Sequence, residues 1–97
     1  MQVETKTVSV FSHYPNGNMW TGSGSRSEDV HVDFSTKFRN PPAVTVALSQ
    51  VDAGNAANLR VNAHVTHVTD DHCTIRVDTW ADTKLASVAV TYVAVGE

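Results

Sequence analysis

The sequence is poor in everything that usually staples, anchors or steers a small protein. It has one cysteine, Cys73, so no disulfide forms within it. Its net charge is only −3 and its Lys and Arg are scattered, which removes the basic footprint a nucleic-acid binder needs. No apolar run approaches the ~20 residues of a membrane-spanning helix, so membrane insertion is not expected. The opening Met1-Gln2-Val3-Glu4-Thr5-Lys6 alternates and is polar, unlike a signal peptide. Leu, Glu and Lys are scarce while Val and Thr abound, a mix that starves helices and suits a pleated, half-buried surface. With 97 residues, read as one domain over 1–97, the chain buries only roughly 60–65% of its unfolded surface. Its own core is therefore thin, and such cores are often supplemented by self-association.

What is present is alternation. Residues 5–11 read as a first strand, followed by a long 12–28 loop rich in turn chemistry, with Pro15-Asn16-Gly17-Asn18 and Gly22-Ser23-Gly24-Ser25. Met19-Trp20, the only bulky apolar pair of that loop, is expected to plug the sheet edge. Residues 29–34 form a second strand with Val30, Val32 and Phe34 inward. Asn40-Pro41-Pro42 then closes a connection that cannot join a central ladder. Further strands are expected over 43–50 (Val44, Val46 and Leu48 inward), over 59–68 (Leu59, Val61, Ala63 and Val65 on one face), over 73–79, and over 85–95. Thr69-Asp70-Asp71-His72 is the turn between the fourth and fifth. Six short strands without a helical period indicate an all-β antiparallel sandwich or small barrel.

The last strand is unusual. One parity holds Ala86, Val88, Val90, Tyr92 and Ala94, an ordinary core face. The other holds Leu85, Ser87, Ala89, Thr91, Val93 and Val95, without a single charge. Strands facing water usually carry polar residues there. Either both sides are buried within one sandwich, or the second side packs on another copy of the chain. The second reading is preferred, because so small a domain lacks material for a second core.

Catalytic patterns are missing: there is no Gly-x-Ser-x-Gly elbow and no P-loop, and Asp70-Asp71 occupies a turn. The chain is expected not to be an enzyme and to need no cofactor. Five histidines invite a metal reading. Yet His64 and His67, three apart on a strand, fall on opposite faces, and His13 and His72 are placed in loops. His31 shares a polar face with Asp29 and Asp33. Cys73 has the parity of Ile75 and Val77 and reads as a buried small hydrophobe. One constellation remains. Arg60, opening the fourth strand, and Trp80, ending the fifth, both point off the core by parity. A Trp face suits the C–H side of a sugar ring, while Arg60 and Asp82 suit its hydroxyls. The alternative is that Trp80 packs into its loop and Arg60 merely pairs with Asp82 or Asp78.

Phe38-Arg39-Asn40-Pro41-Pro42-Ala43-Val44-Thr45-Val46-Ala47-Leu48-Ser49, then Asp52, Asn58-Leu59-Arg60-Val61 and Thr79-Trp80-x-Asp82-Thr83-Lys84, resemble the H-type lectin domain family. Snail agglutinins and the C-terminal domain of discoidins belong to that family, and the resemblance covers about residues 30–95. It implies a six-stranded antiparallel β-sandwich that assembles as a homotrimer or as two stacked trimers. It also implies glycan sites between subunits, of galactose or N-acetylgalactosamine type; the compartment stays open, an extracellular or cell-surface setting fitting best. Arg60 matches the family's sugar-binding arginine and Trp80 the tryptophan before its binding histidine. Ala81 stands where that histidine usually is, and Ala86 where a snail agglutinin has a tyrosine. A neighbouring subunit's acidic residue corresponds to the 22–26 loop, with Ser23 and Gly24 nearest that place. A multivalent lectin acting in adhesion or agglutination follows from this resemblance. A structural, trimerising module of a larger adhesin or fibre, with a degenerate sugar site, is the alternative.

Overall fold

The alternating segments pair into two three-stranded antiparallel sheets packed face to face. The computed structural model describes Met1–Glu97 throughout. Strand β1 spans Gln2–Ser12, β2 Arg26–Asp33, β3 Ala43–Ala53, β4 Asn62–Val68, β5 His72–Thr79 and β6 Leu85–Gly96, with a single helical turn, α1, at Asn18–Thr21. One sheet has the order β1-β6-β3 and the other β2-β5-β4. The two central strands, β6 and β5, therefore face each other, and their inward residues make the core. Ile75, Val77, Val88, Val90, Tyr92 and Ala94 have no exposed surface. Phe34, Phe38 and Phe11 close the ends. Phe34 stands edge-on to Phe38 at 5.2 Å between ring centres, which suits the aromatic quadrupoles. Tyr92 reaches the rim of the core with its hydroxyl, which donates to the Glu4 carboxylate. Burial and this bond hold its phenol well above the ordinary tyrosine range.

The six expected strands are all present. The sandwich is elongated, 46 × 20 × 19 Å, and only 18 of its 97 residues are buried, so the core is as thin as the length implied. The last strand is the centre of its sheet, and its two faces differ. The Val88, Val90, Tyr92 and Ala94 side packs on β5, whereas Ser87, Ala89, Thr91 and Val95 are half-buried and Val93 is 39% exposed. Within one chain that second face is open; only Leu85, at its end, is buried. Its neighbours in register are equally bland: Thr5 and Thr45 flank Val93, Thr7 and Ala47 flank Thr91, Ser9 and Gln50 flank Ala89. Asp52, paired with Ser87, is the one charged residue in these rows.

Four expectations need correction. β4 begins at Asn62 rather than at residue 59, and Leu59 is 59% exposed. Its backbone cannot enter the ladder because the Thr79 hydroxyl donates to the Arg60 carbonyl (2.6 Å) and the Thr83 hydroxyl to the Asn58 carbonyl (2.6 Å). Leu48 has core parity but sits on an edge strand beside a bulge at Ser49, and is 38% exposed. His64 and His67 share the outward face, because a bulge at Thr66 inserts one extra residue between them. His72 belongs to β5, not to a loop.

Candidate functional site

The site is built where β2 and β5 begin and end, at one pole of the sandwich. The 12–25 segment has few apolar residues to hold it. Met19 supplies one anchor: it is 1% exposed, so the expected plug is real, while its neighbour Trp20 is only half-buried. The second anchor is Arg26, which the sequence reading did not single out. Its side chain is nearly buried and faces no carboxylate. Its guanidinium instead donates to five main-chain carbonyls: Nε to Gly24 (2.9 Å), Nη1 to Asn18 (3.4 Å) and Met19 (3.1 Å), Nη2 to Ala81 (3.1 Å) and Thr83 (2.8 Å). A guanidinium has five N–H groups, so all are used. Three irregular segments are thereby tied to one side chain.

Those ties bring the expected site residues together in part. The Gly24 N–H donates to the Ala81 carbonyl (2.9 Å), seating the 22–26 loop against the 79–83 turn of the same chain. The resemblance implies a contribution from a neighbouring subunit's copy of this loop; within the chain, its own copy rests on the 79–83 turn. Both touching residues have left-handed backbone, Gly24 with φ 74° and Ala81 with φ 57°. Glycine adopts that freely, whereas alanine pays roughly 1–2 kcal/mol for it. Ala81 is therefore held there by its bonds to Arg26 and Gly24.

Trp80 projects from this turn, 42% exposed. It lines an open groove of about 500 Å³ with Asn18, Ser25, Ser27, Asp78 and Thr79, over the buried Arg26. Arg60 and Asp82 lie beyond the turn and pair with each other, Nη1 to Oδ1 at 2.9 Å; the same nitrogen donates to the Thr83 hydroxyl at 3.1 Å. So the pairing alternative for Arg60 holds, with Asp82 and not Asp78 as the partner, while Trp80 stays exposed. The Nε and Nη2 protons of Arg60 remain available. The Asp82 carboxylate is exposed and has a second oxygen for hydroxyls. Ser23 and Gly24 are exposed on the loop facing the turn.

The outward face of β2-β5-β4 has a different character. Arg76 clasps Asp29 through two bonds, 2.7 and 3.0 Å, which hold the Asp29 carboxyl below its usual range. His31, His72 and His67 stand in a row, ring centres 4.9 and 5.7 Å apart. Asp33 bonds His31 at 2.7 Å and Asp71 bonds His72 at 2.7 Å. No group of three or more His, Cys, Asp or Glu has the geometry to hold a metal ion. Cys73 is fully buried, and burial pushes its thiol upward, away from nucleophilic reactivity.

A family model for the H-type lectin domain matches residues 29–95. The chain belongs to the H-type lectin domain family. Its six-stranded sandwich is shared with discoidin II of Dictyostelium discoideum. The recombinant protein superposes with TM-score 0.85 at 25% identity over 98% of this chain, and the wild-type structure with TM-score 0.85 at 24% identity over 96%. The chain spans only about a third of those discoidin chains, 36% and 35%. A protein of Fuscovulum blasticum named ATP synthase subunits region ORF 7 is 36% identical over 88 residues, 90% of this chain and 76% of that protein. Membership and the discoidin likeness support reading the domain as a carbohydrate-binding module.

Proposed function

We propose that this H-type lectin domain binds galactose- or N-acetylgalactosamine-type glycans as a homotrimer, with its pockets at the boundaries between subunits. The observation that carries the sugar reading is Trp80: a half-exposed indole beside an open groove, with Arg60 donors and the Asp82 acceptor across the turn. An indole face covers the apolar side of a pyranose, and charged groups hydrogen-bond its hydroxyls more strongly than neutral ones do. The neighbour's surface would complete a groove to which the chain already contributes its own Asn18, Ser25 and Ser27, with Ser23 and Gly24 exposed on the same loop beside it.

The self-association reading is supported by the outward face of β1-β6-β3. Three strands about 4.8 Å apart and about 40 Å long present roughly 500–600 Å², nearly free of charge. That is close to one partner's share of a stable interface, about 800 Å². Three shallow sites on one assembly would turn weak single contacts into avid binding to a glycan-coated surface, which is how adhesion or agglutination proceeds without chemistry.

A glycan array probed with the multivalent protein tests the reading. Binding is expected to one class of neutral glycans, lost in Trp80→Ala and in Arg60→Ala with the oligomer unchanged. Absence of binding at any glycan density refutes it. That outcome leaves the second reading, a trimerising module of a larger adhesin or fibre. Ala81 and Ala86 favour that reading, because neither supplies a polar group to a sugar.

A further inference from the structure

On the other side of α1 lies a second groove of about 500 Å³, whose lining includes Ala53 and Ala86. Tyr14 and Trp20 form one wall, edge to face with ring centres 4.8 Å apart. Tyr14 is 62% exposed, an unusual cost for a large aromatic ring with no partner beyond it. The opposite wall is a transverse row of the sheet, Ser12, Ser87 and Asp52, which lie side by side on β1, β6 and β3. Asp52 takes part in no ion pair, so its carboxylate is free to accept. The indole is held in place. Lys84 Nζ donates to the Trp20 carbonyl at 3.1 Å, and Gly54 lies so close to the ring that a Cβ there would sit 3.4 Å from it.

We propose that this groove is a second saccharide subsite, taking a neutral pyranose. The proposal rests on the lectin reading of the domain. The two Asp52 oxygens match a vicinal pair of hydroxyls, and the Ser12 hydroxyl adds a donor or acceptor. Ser87 Oγ, which accepts from Gln50 Nε2 at 3.0 Å, keeps a second lone pair, and the Tyr14–Trp20 wall takes the C–H face. A carboxylate at the centre repels sialylated or sulfated sugars, which fixes the ligand as neutral. The four-residue α1 is the partition between the grooves: Asn18 lines the Trp80 groove and Trp20 this one. Crossing a helix means spanning its roughly 10–12 Å diameter, about two sugar rings. A neutral oligosaccharide lying across α1 therefore meets both grooves.

The chain has two tryptophans, one in each groove, so each indole N–H reports one site. The ¹⁵N-labelled full chain is titrated with lactose, chitobiose and maltose, and with sialyllactose as the charged comparison. At least one neutral disaccharide is expected to shift both indole signals. Tyr14→Ala and Asp52→Asn are expected to weaken the Trp20 response about tenfold, with the Trp80 response intact. In Trp80→Ala the Trp20 signal still responds. If Trp80 moves and Trp20 never does, or if Trp20 responds equally in Tyr14→Ala and Asp52→Asn, the subsite is refuted and the lectin reading stands. If sialyllactose binds this groove as well as lactose does, the neutral assignment is wrong. If neither indole moves with any sugar, both readings fail.

Discussion

Arg26 gives the sharpest test of how this fold holds its binding loops. Truncation to Ala removes five donors from five carbonyls, but their losses are unequal. Asn18 keeps a bond from the Gly22 N–H and Ala81 keeps one from the Gly24 N–H. The Gly24 carbonyl is close enough to the surface for water to replace the guanidinium. The Met19 and Thr83 carbonyls, whose bonds are buried, are left with nothing. At about 1–3 kcal/mol for each buried unsatisfied group, plus lost packing of the side-chain stem, Arg26→Ala should cost about 3–5 kcal/mol. A chain of this length has about 5–15 kcal/mol in all, so the loss is a large share of it. Urea unfolding followed by tryptophan fluorescence reads the change in midpoint. Arg26→Met keeps the stem and removes the donors, and should cost nearly as much. Arg26→Lys, which retains a charge and three donors, should recover part of it. A loss below about 1 kcal/mol in both Ala and Met variants would show that the carbonyls find water, and that the guanidinium is not what holds the 22–26 loop to the 79–83 turn.

Val93→Asp places a charge at the centre of the open face of β6 and should dissociate the assembly with little effect on the chain's own fold; light scattering that shows the same mass would refute that interface. Tyr92→Phe keeps the ring and removes the donor to Glu4 Oε2, while the Ser35 N–H still donates to Oε1 at 2.7 Å; since bonds to charged acceptors contribute about 1.5–3 kcal/mol, a loss toward the lower end of that range is expected in urea unfolding. Asp29 has a folded pKa below its unfolded value, because Arg76 bonds the ionised form. The stability it adds is present above the unfolded value near ~4 and fades as pH falls through the folded one. Asp29→Asn should therefore flatten part of the acid unfolding curve below about pH 4, by no more than ~1 kcal/mol for so exposed a pair.

Alternation with period 2 made every strand legible, because each strand keeps one face in the core and one out of it. Parity also put Trp80 off the core and Cys73 within it. What parity could not register is an inserted residue. The Thr66 bulge turned His67 onto the face of His64, and nothing in Val65-Thr66-His67 announces it. Nor does alternation say whether a backbone is available for pairing. Leu59 to Val61 alternates well enough for a strand, but the carbonyls of Asn58 and Arg60 are taken by Thr83 and Thr79 hydroxyls. Arg26 was missed for a related reason. A lone arginine after Gly22-Ser23-Gly24-Ser25 looks solvated, and the hint lay in the company: a loop full of unpaired carbonyls needs donors, and no other side chain nearby has five.

The two outward faces of the sandwich divide the labour of the molecule. The face of β2-β5-β4 carries Asp29, His31, Asp33, His64, Arg76 and Asp78, several of them paired with one another, and such a surface is at rest in water. The face of β1-β6-β3 carries Val, Ala, Thr and Ser and has no such partner in water. The exposed aromatic residues, Trp80 and Tyr14, lie neither on that face nor on the polar one. They stand on loops at the pole: Arg26 holds the turn that carries Trp80, and Tyr14 packs on Trp20, which Lys84 and Gly54 hold. The Trp80 groove lies off the β1-β6-β3 face, whereas the Ser12-Ser87-Asp52 row of the Trp20 groove is the end of that face, so association through it would set the second groove at the edge of the contact and leave the first one clear.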